Sequence, residues 1–500
     1  MRKWLFLLGC TALIWGMVAP AKARDKTDSN KTVYLADVQI DPVKRHVSGR
    51  ITITFWPKDP KRAYIHLYPY AFTSEHKGTQ WEQLLGKQPT LATYDSTKLS
   101  VDGKPVNAKR TGTILEVPLN LAGEEVSESV PINVAMDFEL TLPYNDGRMS
   151  YDDHAIWLGN WLPILAVHDE KGWHLDPYEP IGDPFYSETA DYEVDVTLPA
   201  SYQLASSATD STAAADTLGS GQKTHHLQAN DVRDFALVII DSTYRRMETQ
   251  VGDTAVRTWW RNTDNVDDVR HVHEAAAASL EYFNSQFGTY PYQEYDVVRI
   301  GGSINGMEYP AMVFLDGSHF VLGGENAAAT VVHETAHQWF YGLIGNDQVQ
   351  EAWLDEGLTE YATLAFLSDL YPLIGAERVR KRLTYGTIVP GYVGSHLRPW
   401  QALGAFPESQ SYSDLVYSRT SSMLWLLREA WGEKRLHEVL RRYVEKYSLG
   451  IADAEAWEAI LSEEAGEDAG AFMGYWMKLD MSQQEKAAAW LEKQRKTPEK

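Results

Sequence analysis

His333-Glu334-Thr335-Ala336-His337 places two imidazoles at i and i+4, with a carboxylate beside the first. On a helix these rings share a face and can grip one metal ion, while Glu334, rotated by one residue, can reach a water held there. The run from Asn326 to Tyr341 is Ala-rich and apolar, without Pro or Gly, and predicts a buried helix over 326–342. Taken alone, the motif also fits two core histidines on a helix. Glu351-Ala352-Trp353-Leu354-Asp355-Glu356-Gly357-Leu358-Thr359-Glu360-Tyr361 opens a second helical segment, 351–370, past a turn at Gly342, Gly345 and Asn346. That turn leaves enough chain for the second helix to fold back beside the first, and Glu356 can then be a third ligand. Two His and one Glu with an open fourth position form the donor set of a catalytic Zn²⁺ site. Glu360 lies one turn further on and can accept the free ring N–H of a ligand histidine. The bland reading of Glu360 is a solvated helix carboxylate.

The elements that must hold these residues fall into two parts. A chain of 500 residues is too long for a single core. From about Lys31 to Asp241 it reads as β structure, with period-2 runs such as Val33 to Ile40 and Tyr192 to Leu198, a buried last strand at Phe235 to Ile240, and a mobile loop over Ser206 to Gly221. Beyond about Thr243, strands at Ala255 to Trp260 and Asp296 to Ile300 flank a helix over Val266 to Phe287. Further helices are predicted at 374–384, 412–432, 434–447 and 454–463. The fold class is therefore α+β and multidomain: a β-rich part over 31–242, a mostly helical part with a small sheet over 243–481, and a charged, solvated helical tail over 482–500.

Composition excludes several classes. Forty-six basic against 69 acidic residues give −23, which argues against nucleic acid as a partner. The single cysteine, Cys10, rules out disulfides, thiolate–zinc sites and a cysteine nucleophile in the folded body. No G-x-S-x-G elbow occurs, and 301–306 is a poor phosphate loop. His225, His226, His271 and His273 lack an acid at ligand spacing and read as surface residues. Residues 1–23 look like an export signal, with Arg2 and Lys3, an uncharged run from Trp4 to Pro20, and Ala21-Lys22-Ala23 as the cleavage site. The expectation is a secreted or periplasmic protein without stable membrane insertion after cleavage. An uncleaved start, or lipidation at Cys10, would leave it anchored.

His333-Glu334-x-x-His337, followed on the next helical segment by Glu356 within Trp353-Leu354-Asp355-Glu356-Gly357, resembles the aminopeptidase N family of gluzincin zinc metallopeptidases in residue types and in spacing. Gly306-Met307-Glu308-Tyr309-Pro310, upstream of His333, is similar to that family's Gly-x-Met-Glu-Asn exopeptidase motif. Tyr417, well downstream of His333, stands where the family has its catalytic tyrosine, and Asn160 to Ser187 looks like the β domain of bacterial members. Asn305 replaces the motif's first glycine and Tyr309 its final Asn, Arg419-Thr420 replaces a usual Lys-Gly, and the long carboxy-terminal helical domain is missing.

The resemblance implies a saddle-like β-rich domain followed by a thermolysin-like catalytic domain. It implies a zinc-dependent aminopeptidase that removes the first residue of peptides bearing a free amino terminus. His333, His337 and Glu356 would hold the metal, Glu334 would be the general base, and Tyr417 would stabilise the oxyanion. Glu308, with Gly306 and Met307, would bind the substrate's amino end, and Glu360 would orient a ligand histidine. The alternatives are a thermolysin-like endopeptidase and a non-catalytic peptide-binding relative. Oligomeric state is not legible.

Overall fold

The computed structural model describes residues 30–119, 126–212, 221–321, 324–387, 391–392 and 394–496. The export segment predicted at 1–23 lies outside them. Strand Val33–Asp41 buries Tyr34, Ala36, Val38 and Ile40 on alternate positions and lies in an eight-stranded sheet. It pairs antiparallel with His46–Phe55 and parallel with Ala190–Pro199. Two four-stranded sheets, one of them built around Leu237–Ile240 and Ala155–Leu158, and a two-stranded one at His168–Asp169 and Gly172–Trp173 complete this half among the described residues. A short helix, α1 (Thr79–Leu85), is hidden in the sequence by its brevity and by Gly78 and Gly86 at its ends. Part of the expected Ser206–Gly221 loop is ordered pairing: Thr209–Asp210 bonds to Gln222–Val232, while 213–220 lie outside the described residues.

The second half opens with a five-stranded sheet in the order Tyr244–Val251, Thr254–Arg261, Glu294–Ile300, Met312–Asp316, Gly306–Met307. The central three strands run parallel, and α2 (Val266–Phe287) provides the crossover that parallel pairing requires. Asn265 caps α2 by accepting from the amides of Asp267 and Asp268. Helices then follow: α3 (Gly324–Ala336), α4 (Gln348–Glu351), α5 (Trp353–Leu370), α6 (Pro372–Thr387), α7 (Ser409–Tyr412), a π-helical stretch over Ser413–Arg419, α8 (Thr420–Trp431), α9 (Glu433–Tyr447), α10 (Ala454–Ala465), α11 (Gly470–Lys478) and α12 (Gln484–Arg495). Almost all of α5 is buried, so it has no solvent-facing stripe. Among the described residues no helix is long and apolar enough to cross a membrane.

Several sequence expectations are corrected. The tail is not a solvated helix: Ala487, Trp490 and Gln494 of α12 are buried, and Trp490 stacks on Phe472 with ring centroids 4.7 Å apart. A narrow buried stripe is outweighed in the sequence by the charges around it. Helix α11 is masked because Gly470 and Gly474 read as breakers, yet it buries Phe472, Met473, Trp476 and Met477. His225 is buried, with Nδ1 2.7 Å from Asp210 Oδ2, a partner supplied by strand pairing rather than by sequence spacing. His273 is buried between the hydroxyls of Thr249 and Thr258, at 2.8 and 2.9 Å.

The two halves are not separately packed. Trp157, Phe185, Val238 and Ile240 of the first share one apolar cluster with Trp259, Ile300, Met307 and Phe314 of the second. Arg233 crosses the same boundary and is buried. Its guanidinium donates to the carbonyls of Ser187, Tyr341 and Gly450 at 2.7–2.9 Å. Burial pulls its pKa below the usual arginine range, which reports the cost of placing a charge there. Arg233→Met is expected to destabilise the fold by about 2–4 kcal/mol, because the stranded carbonyls lose more than the removed charge returns. Urea unfolding measures this; an unchanged midpoint would refute it.

Candidate active site

Helix α3 ends at Ala336, short of the expected 342, and the reason lies in the metal site. The chain turns back after His337 so that the Phe340 carbonyl accepts from His337 Nδ1 at 2.9 Å. Wide turns follow, with Gly342 N–H donating to His337 O at 2.8 Å, and Tyr341 adopts φ 131°. That conformation is strained for a bulky residue. It is held from the first half by Arg233 on the Tyr341 carbonyl and by the Tyr341 hydroxyl on Asp234 at 2.7 Å.

His333, His337 and Glu356 converge. His333 Nε2, His337 Nε2 and Glu356 Oε2 form a triangle with all three sides 3.2 Å. Bonds of about 2.0–2.1 Å place tetrahedral Zn²⁺ donors about 3.3 Å apart, so the triangle fits that ion. The opposite ring nitrogens are held for the task. His337 Nδ1 faces the Phe340 carbonyl, with Thr359 Oγ1 at 3.1 Å, and His333 Nδ1 lies 3.3 Å from Glu360 Oε2. Both rings therefore carry hydrogen on Nδ1 and turn the Nε2 lone pair inward. Glu360 is buried, not solvated, and accepts from Arg382 Nε at 2.6 Å. Burial disfavours its charge, yet Arg382 and His333 outweigh it and draw its pKa to about 2. Burial likewise opposes charge on His333, but Glu356 and Glu360 lift it to about 9, so without an ion the cluster attracts a proton.

A cavity of about 410 Å³ opens onto the triangle. Glu334 faces it, buried, its pKa pushed up to about 8 by burial and by Glu308 and Glu356 against the pull of His333. Gly306 lies so close that a Cβ there would stand 2.1 Å from Glu334 Oε1. Only a glycine allows the edge strand Gly306–Met307 past this carboxylate. Glu308 is 3% exposed and its Oε1 has no hydrogen-bond partner among the described residues. Burial raises its pKa to about 7, with Asp183 and Glu356 adding to it. Tyr417 stands in the π-helical stretch that leads into α8, ahead of that helix as expected, and its hydroxyl donates to Glu356 Oε1 at 2.5 Å. A π turn changes the phase of the expected 412–432 helix and aims Tyr417 inward. Arg419, at the position of the usual Lys, is buried and donates to the carbonyls of Gly386, Tyr475 and Trp476.

The first half's contribution is invisible to sequence reasoning. Arg148 pairs with Asp183 and donates to Met307 Sδ at 3.0 Å, so a β-rich element sets one wall of the cavity beside Glu308. Helix α1 supplies Gln80, whose amide donates to the Phe406 carbonyl at 3.0 Å, and Gln83, which accepts from Ser409 at 3.0 Å. Asp183 falls in the Asn160–Ser187 stretch, but no periodicity or motif marks Arg148, Gln80 or Gln83, which meet the site only through tertiary packing.

Residues 272–476 match the Peptidase family M1 domain. The chain is 29% identical over 216 residues to Aminopeptidase 2 of Candida albicans, covering 41% of this chain and 23% of that protein. It is 25% identical over 250 residues to Aminopeptidase M1-B of Oryza sativa subsp. japonica, covering 48% and 27%. It thus spans about a quarter of the length of these curated relatives. Among solved structures, the M1 zinc metallopeptidase of Deinococcus radiodurans superposes with a TM-score of 0.61 at 18% identity, covering 94% of this chain and 95% of that one. A mutant of that enzyme bound to a Tyr-Ser-Ala substrate gives 0.62 at 18% identity, with 90% and 94% covered. The shared fold is the two-part α+β architecture described above, and residues 272–476 of the chain carry a match to the Peptidase family M1 domain within it.

Proposed function

We propose that this protein is a zinc-dependent aminopeptidase that cleaves the first residue from peptides with a free amino terminus. The observation that carries this reading is Glu308, a buried carboxylate with an unpartnered oxygen in the same cavity as the metal triangle. A buried acceptor without a donor is costly, and a substrate ammonium supplies both the donor and the charge. His333, His337 and Glu356 would hold Zn²⁺, which when bound polarises the scissile carbonyl and acidifies water. Glu334 takes the proton of the attacking water and returns it to the leaving amine. The Tyr417 hydroxyl donates to the carbonyl oxygen as negative charge grows there. Gly306 and Met307 carry the substrate's first peptide unit past Glu334, and Glu360 keeps His333 in its binding tautomer. The solved relative with a Tyr-Ser-Ala substrate supports a peptide as the ligand class.

The test compares an amino acid anilide with its N-acetylated form. The free-amine substrate is expected to be cleaved about 10- to 100-fold faster, the worth of one charge-assisted contact. A chelator should abolish both rates and added Zn²⁺ restore them. Equal rates on the two substrates would overturn the aminopeptidase reading in favour of an endopeptidase, which the buried Glu308 does not favour. We also propose that the protein acts outside the cytoplasm, on the strength of the basic start, apolar run and Ala21-Lys22-Ala23 site. Amino-terminal sequencing of the protein from its native host should begin at Arg24; a start at Met1 would refute export by cleavage.

A further inference from the structure

We infer that Asp146 makes the enzyme select substrates with a basic first residue, arginine or lysine. This rests on the aminopeptidase reading and names the substrate class for that site. If Glu308 takes the α-amine, the first side chain can lie along the wall of the same cavity that carries Asp146. That wall is continuous. The Asp146 carbonyl accepts from Ser303 N–H at 3.1 Å, just ahead of Gly306-Met307-Glu308, and Gly86 at the end of α1 packs directly against the Asp146 carboxylate. The lining here includes Gln80, Leu84, Asp146, Ile304 and the ion-paired Arg148.

The chemistry of that lining points to a cation on an aliphatic stem. Leu84 and Ile304 offer apolar flanks. Gln80 donates one amide N–H to the Phe406 carbonyl, and its Oε1 is an acceptor. The one basic residue on this wall, Arg148, is committed to Asp183. The Asp146 carboxylate is half-buried and has no hydrogen bond or ion pair among the described residues. Asp146 is thus the one carboxylate among these lining residues without a partner, flanked by carbon from Leu84 and Ile304. Such a lining favours a cationic first residue, which pairs with the Asp146 carboxylate where an uncharged one does not.

The experiment measures kcat/KM on arginine, lysine, leucine, alanine and glutamate anilides for the zinc-loaded wild type and Asp146→Asn. The wild type should prefer arginine and lysine over leucine by at least about 10-fold, and the arginine-to-leucine ratio should fall about 10- to 100-fold in D146N. A ratio unchanged by the substitution, or a wild type that prefers leucine, overturns the assignment. A merely structural loss would lower all substrates together and leave the ratio intact, which also refutes it. If no anilide is hydrolysed, the proposed function fails, and thermal stabilisation by L-argininamide against L-leucinamide still decides the role of Asp146. Stronger stabilisation by argininamide that D146N removes upholds it; equal stabilisation refutes it.

Discussion

Glu334→Gln is expected to keep one zinc per chain and to lose about 10²- to 10⁴-fold in kcat, the range assigned to a positioned general base. The side chain is not a corner of the triangle formed by His333, His337 and Glu356, and it makes no hydrogen bond to a described residue. An amide of the same shape therefore leaves the metal ligands and the Gly306 contact in place while removing the ability to accept a proton. Burial and the neighbouring Glu308 and Glu356 raise the Glu334 pKa, which brings a carboxylate nearer to the neutral range where proton exchange is efficient. Metal analysis and steady-state kinetics on the same preparation decide the matter. Activity within tenfold of the wild type would remove Glu334 from the mechanism, whereas loss of zinc would make its role structural.

Tyr417→Phe should cost about 10²- to 10³-fold in kcat, the range for one oxyanion donor. Burial and the Glu356 carboxylate hold the Tyr417 pKa well above the ordinary phenol range, so the hydroxyl remains a donor at neutral pH. In the ground state it donates to Glu356 Oε1. Two roles are therefore distinguishable. If Tyr417 only orients Glu356, the variant binds zinc more weakly and recovers its rate at saturating Zn²⁺. If it donates to the developing oxyanion, the deficit persists in kcat with the metal site full. Full recovery on adding zinc would defeat the catalytic assignment.

The metal centre is readable because it is local. His333 and His337 are joined by one helical turn, and Glu356 follows at the start of the next long helix, so spacing alone brings three donors within reach. Glu308, Gly306 and Tyr417 are readable only through resemblance, since nothing in their immediate neighbours requires a strand edge or a π turn to aim them inward. The expected helix boundaries fail where side chains compete with the backbone. At His337 the ring's need for the Phe340 carbonyl outweighs continued helix, and in the tail Trp490 docks on Phe472 despite its charged surroundings.

The amino-acid sequence by itself determined the α+β division and the donor set, because helical periodicity and residue chemistry act over a few residues. Tertiary structure alone decided that the β-rich half reaches into the site through Arg148, Asp183, Asp146 and α1, and that Arg233 clamps the strained turn after His337. Those contacts join elements far apart in the chain. Only packing of the shared apolar cluster fixes which distant side chains meet, and no local propensity encodes that pairing.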